Sequence, residues 1–392
     1  MNTKLNKIDY FAYLWPIYFW KVIFLKPLLY GFSNIPSFYI TGGFLAFTLS
    51  GVFLFLYRGK RLVYINSGHL FLILIISLFL LNLLFNMNNS TIEYYYNFIL
   101  IVAPSLLILA YVKDYELLIR NFFLLSIIAI LIYSPWYYFR DDLFSNYMDF
   151  GFSIALPAVV GIFLYRKKAQ LKWPLLFEIF AILMLVVYSN RSPLLAIILM
   201  YLFYPFLFKR QNFKLFIKNL ISVFIIVLVI IINHKFLLTY LLEFIDLFQI
   251  NSYSLIKYKD FIFETNRTDI LSGRGDLWQN AINQIYNNPF GYGIGTFEEK
   301  YDGYAHNFVL DIFLYWGVLG FFLFFILLVF SIKKFISLSN SPKKILIFLF
   351  FILSFPKLTF SSTFLSDISF FSFFMVIFML SKFRIKEGLR NE

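Results

Sequence analysis

The chain has 392 residues, 61% of them hydrophobic and 14% charged, with a mean hydropathy of +0.77. Apolar runs near twenty residues recur along almost its whole length, each able to cross a hydrocarbon core of about 30 Å, which excludes a single water-soluble core. Without cysteine there is no disulfide framework, thiolate metal site or Cys nucleophile, and the net charge of +13 must be read by position before nucleic acid is considered.

In chain order, apolar tracts bounded by charge or turn residues predict spans over 8–31, 38–57, 67–86, 92–111, 117–139, 152–165, 173–189, 192–208, 213–233, 305–330, 345–361 and 364–381. The expected fold class is an all-α polytopic membrane protein of about 12 transmembrane helices with one large periplasmic loop containing short helices. The first tract follows "MNTKLNK" and has no small-residue cleavage site, so it reads as retained. With the N-terminus inside, the termini and the segments "YRGKR", "KDYELLIR", "RKKAQLK", "KRQNFKLFIK" and "KKFISLSNSPKK" share one face. That face holds 23 of the 34 Lys and Arg residues. Cytoplasmic loops carry such an excess, so both termini are expected in the cytoplasm and nucleic acid is not needed to explain the charge.

Three parts follow: an N-terminal bundle over 1–233, a large extracytoplasmic loop over 234–304, and C-terminal helices with a cytoplasmic tail over 305–392. Loops this long are usually functional or carry elements of their own. "FLLTYLLEFIDLFQI", 236–250, is apolar but too short to span and is expected in the interface. "LWQNAINQIYNN" sets Trp278, Ala281, Ile282 and Ile285 on one face of an amphipathic helix stopped by Pro289. No internal repeat is visible, which counts against a secondary transporter.

After that helix comes "NNPFGYGIGTF", with Gly291, Gly293 and Gly295 alternating. The run is not the G-x-G-x-x-G dinucleotide fingerprint, and it follows a helix instead of a strand. It reads either as backbone needing positive φ or as a place where a bulky ligand approaches closely. His306 opens the next span in "AHNFVLDIFLYWGVLG". Alone it is a solvated histidine or a base, and its company matters. Arg274 lies in the same loop, and Arg191 in the turn "YSNRSPLL" on the same face. An arginine there either snorkels or serves a ligand, and three such groups beside lipid suit a lipid-linked phosphate. Glu298, Glu299 and Asp302 match no metal-ligand spacing and read as a solvated acidic rim. Arg140, Asp141 and Asp142 form an outer-face cluster, either self-neutralising or contacting an acceptor, while His69 and His234 show no partner. The tyrosines 286, 292, 301 and 304 are sugar-stacking candidates or interfacial residues.

Three patches, "YSNRSPLL", "SGRGDLWQNAINQIYNNPFGYGIGTF" and "AHNFVLDIFLYWGVLG", resemble the bacterial O-antigen polymerase and ligase superfamily of membrane glycosyltransferases, over roughly 190–320. Asn190 stands where that family usually has serine. The resemblance implies inverting glycosyl transfer from an undecaprenyl-diphosphate-linked oligosaccharide at the periplasmic side of the inner membrane, without metal or cofactor. Arg191 and Arg274 would bind the diphosphate, and His306 would be the base. Asn307, Trp278, Gly291, Gly293 and Gly295 would orient substrate, and Arg140 would contact the acceptor. Membrane lipids, a chain-length regulator and a flippase are the implied partners, and nucleic acid is not. Polymerase is the favoured activity, with ligase as its alternative. A flippase for the same lipid is the alternative of another class, although it needs no large one-sided loop ending at a histidine.

Overall fold

The computed structural model describes residues 9–21, 25, 42, 51–52, 66–139, 150–188, 191–208, 213–247, 252, 255, 259 and 274–380. Most of the expected span 38–57, ten of the 24 residues of 8–31, both termini, Asn190 and the Arg140 cluster lie outside them. Every regular element among the described residues is helical. α1 (Tyr10–Phe19), α2 (Ser67–Phe85), α3 (Asn89–Tyr111), α4 (Tyr115–Phe139), α5 (Leu156–Ala169), α6 (Leu175–Tyr188) and α7 (Arg191–Phe203) precede α8 (Phe213–Ile232) and α9 (His234–Leu247). Then come α10 (Arg274–Asn287), α11 (Thr296–Tyr301), α12 (Phe308–Ser337), α13 (Pro342–Phe360) and α14 (Ile368–Leu380).

Among the described residues five helices are long and apolar enough to cross a bilayer: α2, α3, α4 over Tyr115–Ser134, α8 and α12. The chain is a multi-pass membrane protein, and the expectations at 67–86, 92–111, 117–139 and 213–233 coincide with four of them. Apolar length is a strong marker because in hydrocarbon only a helix satisfies its own backbone. The start expected at 305 falls instead at Phe308, since Asn307 caps the helix.

Helix packing in lipid relies on close fit more than on expulsion of water. Trp15 of α1 lies 5.3 Å from Phe350 of α13 and 6.2 Å from Phe122 of α4, centroid to centroid. Gly161 lets α5 approach α4, because a Cβ there would sit 2.9 Å from the Phe122 ring. α3 contains a π turn, Phe98–Val102, just before Pro104. Proline has no N–H to offer the preceding turn. The Tyr18 hydroxyl supplies the missing donor to the carbonyls of Leu100, at 2.9 Å, and Ile101, at 3.1 Å. Where α5 ends and α6 begins, buried Glu178 on α6 accepts from Arg166 Nε of α5 at 2.6 Å and from the Tyr201 hydroxyl of α7 at 2.5 Å. Removing one partner of such a buried pair costs about 3–5 kcal/mol.

His69 is not partnerless. Its backbone N–H and that of Gly68 donate to the Asn66 side chain, its ring takes part in the same cap, and the ring lies 4.7 Å from that of Tyr111. His234 Nδ1 sits 2.8 Å from the Ile231 carbonyl at the turn between α8 and α9.

Candidate functional site

The site begins with a break in α12. Gly317 has φ 65° and ψ −162°, a conformation close to glycine-only, and it interrupts the helical ladder. In an unbroken helix the Leu314 carbonyl would accept from Val318. Here it accepts from Tyr292 N at 2.7 Å, while the Tyr315 carbonyl accepts from Gly293 N at 3.0 Å and Val318 N donates to the Pro289 carbonyl at 2.8 Å. The glycine stretch thus takes over the groups that the break releases, as irregular backbone at membrane depth requires.

Gly291, Gly293 and Gly295 all have φ between 87° and 89°, so positive φ is what this stretch needs. The partner that approaches is α12 itself: a Cβ on Gly291 would lie 2.6 Å from Gly317 N, and one on Gly317 would lie 2.6 Å from the Phe290 Cα. On the far side, Ile294 N donates to the Asn82 side chain at 2.9 Å and Thr91 Oγ1 donates to the Ile294 carbonyl at 2.6 Å. The docked stretch therefore ties α12 to the ends of α2 and α3.

Ahead of α12 the chain runs through Tyr304, Ala305 and His306. Trp278 of α10 donates its indole N–H to the Ala305 carbonyl at 2.8 Å, and Arg274 stands one turn earlier on that helix. His306 has φ 54°, a left-handed value that few non-glycine residues adopt. Its ring lies 4.1 Å from that of Tyr304, whose hydroxyl donates to the Ser361 carbonyl at 3.2 Å. Burial and the nearby Arg274 guanidinium lower the His306 pKa from 6.5 to about 4, while the Ser361 carbonyl opposes the shift. The ring is therefore neutral near pH 7 and able to accept a proton. Ser361 Oγ is 3.0 Å from Ser192 Oγ, and Ser192 follows Arg191 at the start of α7. The backbone of Arg191, the α10 arginine and the histidine thus converge on the end of α13.

Asn307 caps α12, its side-chain oxygen accepting from Val309 N at 3.0 Å and Leu310 N at 3.4 Å. The inward face of α10 differs from the expected one. Ala281 and Gln284 are buried, whereas Ile282 is 52% exposed. The face centres on Ala281, between Gln284 and Trp278, which puts Ile282 at its edge.

The acidic rim is also corrected. Glu299 is exposed, but Glu298 is 7% exposed and accepts from the hydroxyls of Tyr315 and, at 3.2 Å, Tyr94. Burial raises the Glu298 pKa and these two hydrogen bonds oppose the rise. Asp311 of α12, which sequence reasoning passed over, is fully buried nearby. Lys357, one turn before Ser361 on α13, pairs with Asp367 at 3.0 Å and was also missed. Basic and acidic residues inside apolar tracts were the available pointers to both. Among the described residues no three His, Cys, Asp or Glu side chains gather as metal ligands.

Residues 176–325, from α6 into α12, match a family model described as O-antigen ligase. No curated protein and no solved structure matches the chain.

Proposed function

With the O-antigen ligase domain at 176–325 supporting the O-antigen ligase and polymerase superfamily as its family, we propose that this membrane protein transfers glycan from an undecaprenyl-diphosphate carrier at the periplasmic face of the inner membrane. The observation that carries the reading is the convergence of a neutral, left-handed His306 beside Arg274 and of Ser192, at the start of α7, on Ser361. Arg274 and Arg191 bind the donor diphosphate, which gains negative charge as its bond to the sugar breaks, and preorganised cations favour that change. His306 takes the proton of the attacking hydroxyl.

A base with a pKa near 4 holds a proton poorly. Arg274 is one cause of the lowering, so a bound diphosphate offsets that guanidinium and raises the basicity of His306. The base strengthens only when the donor is in place. Asn307 and Trp278 serve by fixing the start of α12 and the turn before His306, and the glycines by holding α12 in its broken form. The transfer needs no cofactor, because the activated donor carries its own energy.

The favoured activity is polymerisation of lipid-linked repeat units. Ligation to a lipid A core sugar is the second reading, favoured by the description of the matching family model. Deleting the gene separates them. Polymerase loss leaves core carrying one repeat without a ladder of longer chains, ligase loss leaves bare core with lipid-linked polymer accumulating, and an unchanged glycan profile overturns both. The side of the membrane is tested at Tyr286, which is 87% exposed on α10. Tyr286→Cys, in a chain without cysteine, reacts with an impermeant maleimide in intact spheroplasts if the loop is periplasmic. Reaction only after lysis reverses the topology.

A further inference from the structure

Two carboxylates are buried behind the His306 turn. Asp311, in the first turn of α12, is 0% exposed, and Glu298 on α11 is 7% exposed. The Tyr315 hydroxyl, one turn along α12 from Asp311, donates to Glu298 Oε1, which brings the two carboxylates into one buried cluster. Both tyrosine hydroxyls that reach Glu298 go to Oε1. Glu298 Oε2 and both Asp311 oxygens have no hydrogen-bond partner among the described residues, the Ala305 backbone facing Asp311 at longer range. Among the described residues neither carboxylate joins an ion pair. The groups facing the pair are Tyr94 from α3, Tyr315 from α12 and Tyr304 from the loop, while Arg274 of α10 acts on Tyr304 and His306.

Like charges buried side by side without a cation do not both persist, and a proton is retained between them. The pair also lies next to the candidate base. Tyr304 feels Asp311 on one side and stacks on His306 on the other, and Ala305 adjoins both. His306 Nδ1 is itself buried and without a partner among the described residues.

We propose that Glu298 and Asp311 hold one proton between them and that their remaining charge accepts the second proton, the one His306 removes from the attacking hydroxyl. This rests on His306 acting as the base. The acceptor O–H bond breaks as its oxygen bonds the anomeric carbon, and the sugar–diphosphate bond breaks with its electron pair leaving on the diphosphate. The proton passes to the imidazole and then to the carboxylate, leaving two neutral acids. It returns to water after the product departs, which restores the shared proton.

The test uses the purified full-length protein and the variants Glu298→Gln, Asp311→Asn, their double and His306→Ala. Infrared spectroscopy near neutral pH is expected to show a protonated-carboxyl band in the wild type that the double variant lacks. Transfer by the double variant is expected to fall ten-fold or more, up to the ~10²- to 10⁴-fold that general base catalysis contributes, with lipid-linked donor still bound. Its rate should then rise with pH, because hydroxide replaces the missing recipient. Absence of the band in the wild type overturns the shared proton. A double variant with unchanged rate and pH profile overturns the hand-off, as does one with lower thermal stability, reduced rate and an unchanged pH profile, which marks mere packing. Transfer retained by His306→Ala removes the base and the hand-off with it, while the infrared band still decides whether the pair holds a proton.

Discussion

α8 and α12 are both long apolar helices, and they solve the bilayer problem in opposite ways. α8 has no buried residue among its twenty, shows apolar side chains around most of its circumference, and needs only its own ladder of hydrogen bonds. α12 buries Asp311 and Tyr315, breaks at Gly317, and borrows two N–H donors and one carbonyl from the stretch before it. The contrast teaches that hydropathy identifies a span without revealing its task. A span that only crosses tolerates substitution, whereas one that carries chemistry depends on another segment for its backbone.

The largest effect expected from this contrast is at the chemistry that α12 supports. His306→Ala should lower transfer by about 10²- to 10⁴-fold while the protein still binds lipid-linked donor, since the proton moves only during reaction. Purified protein assayed for donor binding beside chain extension checks this, and near-normal extension would end the role of His306 as base. Arg274→Lys should weaken donor binding and turnover together, because lysine keeps the charge and loses the two-pronged geometry.

The break itself comes next. Gly317→Ala combines strained φ with collision against Phe290, so it should lose at least about 1–3 kcal/mol of stability. Val227→Ala on α8, a residue 37% exposed to the surroundings, should stay within about 0.5 kcal/mol. Thermal unfolding of the two variants in detergent measures the difference, and equal shifts would erase the distinction between the helices. Trp278→Phe, which removes the 2.8 Å bond to Ala305, should cost about 0.5–1.5 kcal/mol and reduce transfer more than donor binding.

The smallest effect is a matter of pH. The fold lowers the His306 pKa from 6.5 to about 4, so the unfolded chain takes the proton first as pH falls. The contribution is present above 6.5, declines between about 6.5 and about 4, and levels off below. His306→Gln should flatten the acid side of a stability profile in that window, and an unchanged slope would argue against the shift.

Much of this was legible in the sequence, for local reasons. The spans of α2, α3, α4 and α8 followed from apolar length, and α10 followed from a helical stripe stopped before Pro289. The positive-φ reading of Gly291, Gly293 and Gly295 was available because glycine is the residue that adopts it freely. The break at Gly317 was not legible, because "LYWGVLG" is continuously apolar and glycine is common in membrane helices. The burial of Glu298 was hidden as well. "TFEEKY" gives two adjacent carboxylates no reason to differ, and only Tyr94 and Tyr315, distant in sequence, separate them. Ser361 and Lys357 reach the site through the packing of α13 against α7, a contact that no local pattern announces.

The borrowed donors of α12 also carry an order in time. Tyr292 and Gly293 precede Leu314 and Tyr315 in the chain, so the ribosome makes the donors before the carbonyls that need them. The separation is short, and short loops close quickly and at small entropic cost. As α12 emerges, its interruption can therefore be satisfied at once by backbone already synthesised, so no unpaired carbonyl need wait in lipid for the helices that follow. Moving the glycine stretch to the far side of α12 by circular permutation would leave every contact in the finished protein possible and reverse that schedule.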